Sequence, residues 1–216
     1  MSNKLISLLL CLCLSFLCLV SCGERDREYD EAEVTAAAKT LIEKSKIFNE
    51  IYWGGGVGYK MPEDGSEPKG YLPADSEALA ALERDYGIKD LETLKKKTRE
   101  VFSESGYNWI VSSCLTNIHG DTGVVSYARY YQATAENGGA LMVYTNALNI
   151  YTDTESIEYL YDGIKVSAVK GEVLTVSLKV KAIGKNGEEK ITPFTVSLIE
   201  EADGYRLHGA SYATYN

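Results

Sequence analysis

The run Val173-Leu174-Thr175-Val176-Ser177-Leu178-Lys179-Val180-Lys181-Ala182-Ile183 alternates without a break. Leu174, Val176, Leu178, Val180 and Ala182 share one face and Thr175, Ser177, Lys179 and Lys181 the other, the pattern of a half-buried antiparallel strand. Asn186-Gly187 supplies a hairpin turn, Phe194, Val196 and Leu198 repeat the inward set, Asp203-Gly204 turns the chain again, and Tyr205 and Leu207 continue the sheet. Pro193, which has no N–H to donate, marks a strand start or an edge. Upstream, period two begins at Gly123, where Val125, Tyr127, Arg129 and Tyr131 alternate with Val124, Ser126, Ala128 and Tyr130. Asn137-Gly138 then predicts a hairpin into Leu141-Met142-Val143-Tyr144.

The half of the chain before this sheet has helical spacing. From Asp30 or Glu31, apolar Val34, Ala37, Ala38, Leu41, Ile42, Phe48, Ile51 and Tyr52 recur at three and four residues, with Lys39, Glu43, Lys44, Lys46 and Glu50 on the other side. This long amphipathic helix ends at Trp53-Gly54-Gly55-Gly56-Val57-Gly58. The glycines are a close-packing turn and not a phosphate loop, since they follow a helix and Lys60 precedes Met61 where Ser or Thr would stand. Tyr59 to Pro73 reads as a long loop and a candidate binding edge. Two short helices come next. Asp75 or Ser76 caps the first, with Leu79, Leu82 and Tyr86 on one face and Gly87 as its stop; Asp90 caps the second, with Leu91, Leu94, Val101 and Phe102 inward and Gly106 as its stop. Lys95-Lys96-Lys97 forms a solvated face. Ile110, Cys114 and Ile118 align in a last helical segment over Tyr107 to Ile118. Helices first and a meandering sheet afterwards define an α+β class: a long N-terminal helix and short helices packed on a curved antiparallel meander.

At the N-terminus, Lys4 and the uncharged run from Leu5 to Val20 predict a secretory signal. Leu19-Val20-Ser21-Cys22 resembles the lipobox of bacterial lipoproteins, which implies cleavage before Cys22 and a fatty-acyl (palmitate-type) diacylglyceryl anchor on it. The expected organisation is a signal peptide over 1–21, a charged tether over 22–31 and one α+β domain over 32–216, held at the outer face of the cytoplasmic membrane. Of the five cysteines, Cys11, Cys13 and Cys18 leave with the signal and Cys22 takes lipid, so Cys114 has no intramolecular partner and is read as buried. A net charge of −9 argues against nucleic acid and against a basic membrane-binding patch. Attachment then rests on the lipid, and because each buried methylene is worth about 0.8 kcal/mol, two chains hold where one is marginal.

Catalytic residue types are sparse. A Cys114–His119 pair lacks the positive neighbour or helix start that favours a thiolate. His119 and Asp121 flank Gly120 at a helix-to-strand corner and form the enzymatic candidate, an acid/base dyad if both face a pocket, although a turn with Asp and Gly needs no catalytic explanation. His208 shares the face of Arg206, opposite the core, and reads as solvated. With two histidines and no close ligand spacing, no metal and no cofactor is expected. Trp53, Tyr59 and Tyr71 bracket the long loop and Tyr127, Tyr130 and Tyr131 crowd one strand. They either line a groove for a glycan, peptide or protein partner or fill the layer between sheet and helix.

Ala36-Ala37-Ala38-Lys39-Thr40-Leu41-Ile42-Glu43-Lys44-Ser45, Asn49-Glu50-Ile51, Val101-Phe102-Ser103, Gly204-Tyr205-Arg206-Leu207 and Ser211-Tyr212 resemble secreted and lipid-anchored proteins of clostridial and related Gram-positive bacteria. Their domains are similar to the cystatin-like, nuclear-transport-factor-2-like fold, and they usually place Trp where this chain has Tyr205. The resemblance implies that fold, within which enzymes use His and Asp in the mouth of a cone. The segment from Phe48 to Phe102 is loosely similar to inhibitors of cell-wall D,L-endopeptidases from bacilli. That likeness implies a lipid-anchored binding or regulatory module that restrains a cell-wall hydrolase or holds an envelope ligand. The alternative is a small-molecule-binding or enzymatic cone using His119 and Asp121.

Overall fold

A computed structural model describes residues 29–121 and 123–215. The signal segment, the lipobox with Cys22 and most of the tether lie outside the described residues. The described chain is a mixed α+β structure with antiparallel sheets. Helix α1, Glu31–Trp53, is capped by the Asp30 carboxylate, which accepts from the backbone N–H of Ala32 and Glu33, with Glu31 and Glu33 in the first turn near the positive helix end. Its buried stripe is Val34, Ala38, Leu41, Ile42, Phe48, Ile51 and Tyr52, joined by the polar Ser45 and Asn49.

The stripe packs on a four-stranded meander of β6 (Thr154–Lys170), β7 (Val173–Gly184), β8 (Glu189–Glu201) and β9 (Gly204–Leu207), ordered β6-β7-β8-β9. In β7, Leu174, Val176, Leu178, Val180 and Ala182 are all buried. Register runs from Val173 opposite Ile199 to Ile183 opposite Glu189, and Gly187 takes a positive φ in the turn between them. Three polar groups fix the helix lengthwise, two on this sheet and one on the tail that follows it. Glu31 accepts from the Val166 N–H (3.2 Å), Glu43 accepts from the Tyr161 hydroxyl (2.6 Å), and the Asn49 amide donates to the Ser211 carbonyl (3.1 Å). Ser45 and Asn49 are buried without cost because Ser211, on the C-terminal tail, pairs with both.

Two smaller sheets lie earlier in the chain: β1 (Tyr71–Pro73), β5 (Leu141–Tyr144) and β4 (Tyr130–Gln132) in the order β1-β5-β4, and a hairpin of β2 (Ile118–Gly120) with β3 (Gly123–Ser126). Helices α2 (Ser76–Tyr86), α3 (Leu91–Arg99) and α4 (Glu104–Cys114) connect them to α1. Asp75 caps α2, with Gly87 left-handed at its end, and Asp90 and Thr93 form a capping box on α3.

The structure differs from the sequence expectations at five places. Helix α3 stops at Arg99, and Gly106 lies inside α4, which starts earlier, at the Ser103 cap. Gly106 is needed there for a close approach, since a Cβ on it would sit 3.1 Å from the Leu207 carbonyl oxygen. Ile118 is an exposed strand residue and no part of a helical line with Cys114. No residue of α2 is fully buried, and Tyr86 is exposed. The end of the long loop is a strand, β1, and the strand expected from Gly123 through Tyr131 is broken between β3 and β4.

Candidate functional site

The break between β3 and β4 builds the site. Backbone groups at the break are held from elsewhere: the Ala128 N–H donates to the Asn117 side chain (2.7 Å), the Arg129 N–H to the Cys114 carbonyl (2.6 Å), and the Tyr144 N–H to the Arg129 carbonyl (2.9 Å). The chain therefore turns at Arg129, and its side chain points inward and is buried. Helix α1 carries no basic residue in its last turn, and its final carbonyls need donors. Arg129 supplies them from a distant element: Nη1 donates to the Tyr52 carbonyl (3.1 Å) and the Leu148 carbonyl (2.7 Å), Nη2 to the Gly54 carbonyl (2.6 Å) and Nε to the Tyr130 hydroxyl (3.2 Å). The glycine run makes this possible. Gly56 has φ +77°, and a Cβ there would stand 2.6 Å from both Nη2 and the Tyr130 oxygen.

Beside Arg129 opens a cleft of about 420 Å³, walled by Trp53 at the end of α1, Cys114 at the end of α4, Val125 and Tyr127 at and just after the end of β3, and Tyr144 and Leu148 at and beyond the end of β5. Val125 and Leu148 are 66% and 74% exposed, unusual for large apolar side chains, and Tyr127 is exposed as well. Trp109, also exposed, stands 5.7 Å from Trp53 ring to ring, and Tyr212 lies 5.1 Å from Trp53 on another side. A cluster of tyrosines adjoins the cleft: Tyr127 stacks on Tyr144 (4.9 Å), and Tyr71 meets Tyr131 at 4.7 Å and Tyr144 at 5.2 Å. The Tyr71 hydroxyl donates to the Ala128 carbonyl, tying the cluster to the strand break. Burial, with the neighbouring phenols, raises the Tyr71 pKa.

Of the aromatic residues singled out from sequence, Trp53 and Tyr127 line the cleft, and Tyr71 and Tyr131 sit in the adjoining cluster. Tyr59 does not join them; it bridges to Ala74 and packs partly buried against the core. Tyr130 is fully buried and has no place in a groove. Its hydroxyl donates to the Ile51 carbonyl (2.7 Å) and accepts from the Val57 N–H (2.9 Å), so it is a strut under the glycine run, and burial raises its pKa. Sequence reasoning misses Tyr144 and Leu148 as site residues, and it places Arg129 only as one position of an alternating strand. Unbroken alternation hides Arg129; an Arg among apolar positions and tyrosines is the available signal.

His119 and Asp121 are both exposed on the β2–β3 hairpin, outside the cleft lining. Cys114 is a free, buried thiol with its pKa pushed up to about 11 by burial, against the opposing pull of the Arg129 guanidinium. A thiol held neutral in this way is a poor nucleophile. His208 is half-buried rather than solvated, with Nδ1 3.0 Å from the Ser105 hydroxyl at the start of α4. The described residues contain no group of three His, Cys, Asp or Glu side chains placed to hold a metal, and no helix among them is long and apolar enough to cross a membrane. No protein-family model matches the chain, and no curated protein matches it.

Proposed function

We propose that this chain is a lipid-anchored extracytoplasmic binding or regulatory module on a cystatin-like, nuclear-transport-factor-2-like α+β domain, which holds an envelope ligand or restrains a cell-wall hydrolase. The observation that carries the reading is the concentration of exposed Val125, Tyr127 and Leu148 around one cleft beside a tyrosine cluster. Large apolar side chains gathered at one concave place, with flat phenols whose hydroxyls stay wet, suit a partner surface or a glycan face. The cleft lacks a general base next to a nucleophile: its thiol is neutral, and His119 and Asp121 lie elsewhere. Recognition therefore fits the geometry better than acid/base chemistry at those two residues. The lipobox at Cys22 would place the cleft outside the cytoplasmic membrane, a short tether away from it.

The test is a cell-wall lysis assay in which purified chain is added to a wall suspension with its endogenous hydrolases. Slower clearing by the wild-type chain, abolished by Tyr127→Ser together with Leu148→Ser, supports regulation through the cleft. A chain that neither binds walls nor alters clearing contradicts it.

A further inference from the structure

We infer that the cleft selects ligands bearing a carboxylate, with Arg129 as the cationic anchor; this rests on the reading of the cleft as a binding site. Arg129 is 7% exposed and lines the cleft. Its side-chain hydrogen bonds all go to neutral oxygens, the carbonyls of Tyr52, Gly54 and Leu148 and the Tyr130 hydroxyl, and its guanidinium lies over the Tyr130 ring at 5.9 Å. Among the described residues no Asp or Glu forms an ion pair with it, although acidic side chains outnumber basic ones 31 to 22 in the chain. A buried guanidinium is costly unless it is paired with an anion, and the negative end of α1 offsets that cost only in part.

The hydrogen bonds leave capacity as well as charge. A guanidinium has five N–H groups. Nη1 makes two bonds, Nε one and Nη2 one, so an Nη2 hydrogen remains without a partner among the described residues. No charge in the lining competes for the cation, since burial keeps the Cys114 thiol neutral. Trp53, Tyr127 and Tyr144 supply aromatic lining, and Val125 and Leu148 an apolar rim. The ligand that fits this set carries one carboxylate on a flat or apolar neutral body. A peptide C-terminus and a sugar acid share that chemistry.

The experiment titrates the full lipidated chain in detergent micelles by calorimetry with two matched pairs: N-acetyl-leucine against its carboxamide, and glucuronate against glucuronamide. The acid is expected to bind at least tenfold tighter than its amide in one pair or both, because a charge-assisted bond replaces a neutral one. The tighter pair identifies the peptide or the sugar source. Location is read with Val125→Asp, an exposed rim substitution that puts a competing carboxylate into the cleft. It should weaken the acid at least tenfold while leaving the unfolding transition in place. Acids and amides that bind equally, acids that do not bind, or acid binding unaltered by Val125→Asp would each overturn the inference. Equal binding of acid and amide would do so while leaving the cleft as a binding site.

Discussion

Gly56→Ala isolates the packing that creates the cleft floor. At this position φ is +77°, and the added methyl would stand 2.6 Å from Arg129 Nη2 and from the Tyr130 oxygen. Neither neighbour has room to retreat, since Arg129 is bound to three carbonyls and Tyr130 is held between Ile51 and Val57. Gly187, in the β7–β8 turn, has φ +79° and nothing within 4 Å of the place an added methyl would occupy, so it carries the backbone cost alone. A left-handed alanine costs roughly 1 kcal/mol, and forcing a methyl into a filled interior adds about 2 kcal/mol. Gly187→Ala should therefore lose about 1 kcal/mol and Gly56→Ala about 3 kcal/mol, both measured by urea unfolding followed through tryptophan emission. With a slope near 2 kcal/mol per molar urea, the two midpoints should differ by about 1 M. Equal midpoints with equal slopes would refute the claim that Arg129 and Tyr130 are wedged against the glycine run.

Gly106→Ala should also destabilise, by about 1 kcal/mol in urea, although helix propensity alone favours alanine by nearly that much, because the methyl meets the Leu207 and His208 carbonyl oxygens at 3.1 and 3.2 Å. Asp90→Ala removes the carboxylate that accepts from the Thr93 N–H at 2.7 Å and should cost about 1 kcal/mol in the same assay. Stability should fall with rising pH from the ordinary thiol range up to about 11, because the unfolded Cys114 ionises there while burial holds the folded thiol protonated. Cys114→Ser should flatten that part of the stability profile.

The sheet is legible where each strand keeps one face inward. The inward set of β7 shows its alternation directly, and all five of its members are buried. The spacing of α1 likewise marks its stripe, but not the buried Ser45 and Asn49, whose partner Ser211 lies far along the chain. Strand β6 escapes sequence reading altogether. Its pairing with β7 slips between Leu160 and Lys165, where Gly163 takes a positive φ, so no single period runs through it. The same physics works in reverse at Tyr127 to Arg129, where alternation continues in the sequence after the strand has ended. What ends it is a set of donors and acceptors on Cys114, Asn117 and Tyr144, none of them local. The aromatic residues are visible as a group, whereas their separation into cleft, cluster and core depends on those long-range bonds. Tyr130 is a strut because its hydroxyl meets Ile51 and Val57, and Tyr144 joins the site because β5 brings it opposite Tyr71.

Hydrogen exchange on the full chain, with and without a soluble cell-wall extract that contains the wall hydrolases, tests the proposed binding at the cleft most directly. Slower exchange confined to 125–129 and 144–148 is the expected footprint. Protection that instead falls on 59–73, or on the His119 and Asp121 hairpin, with the cleft segments unchanged would contradict it.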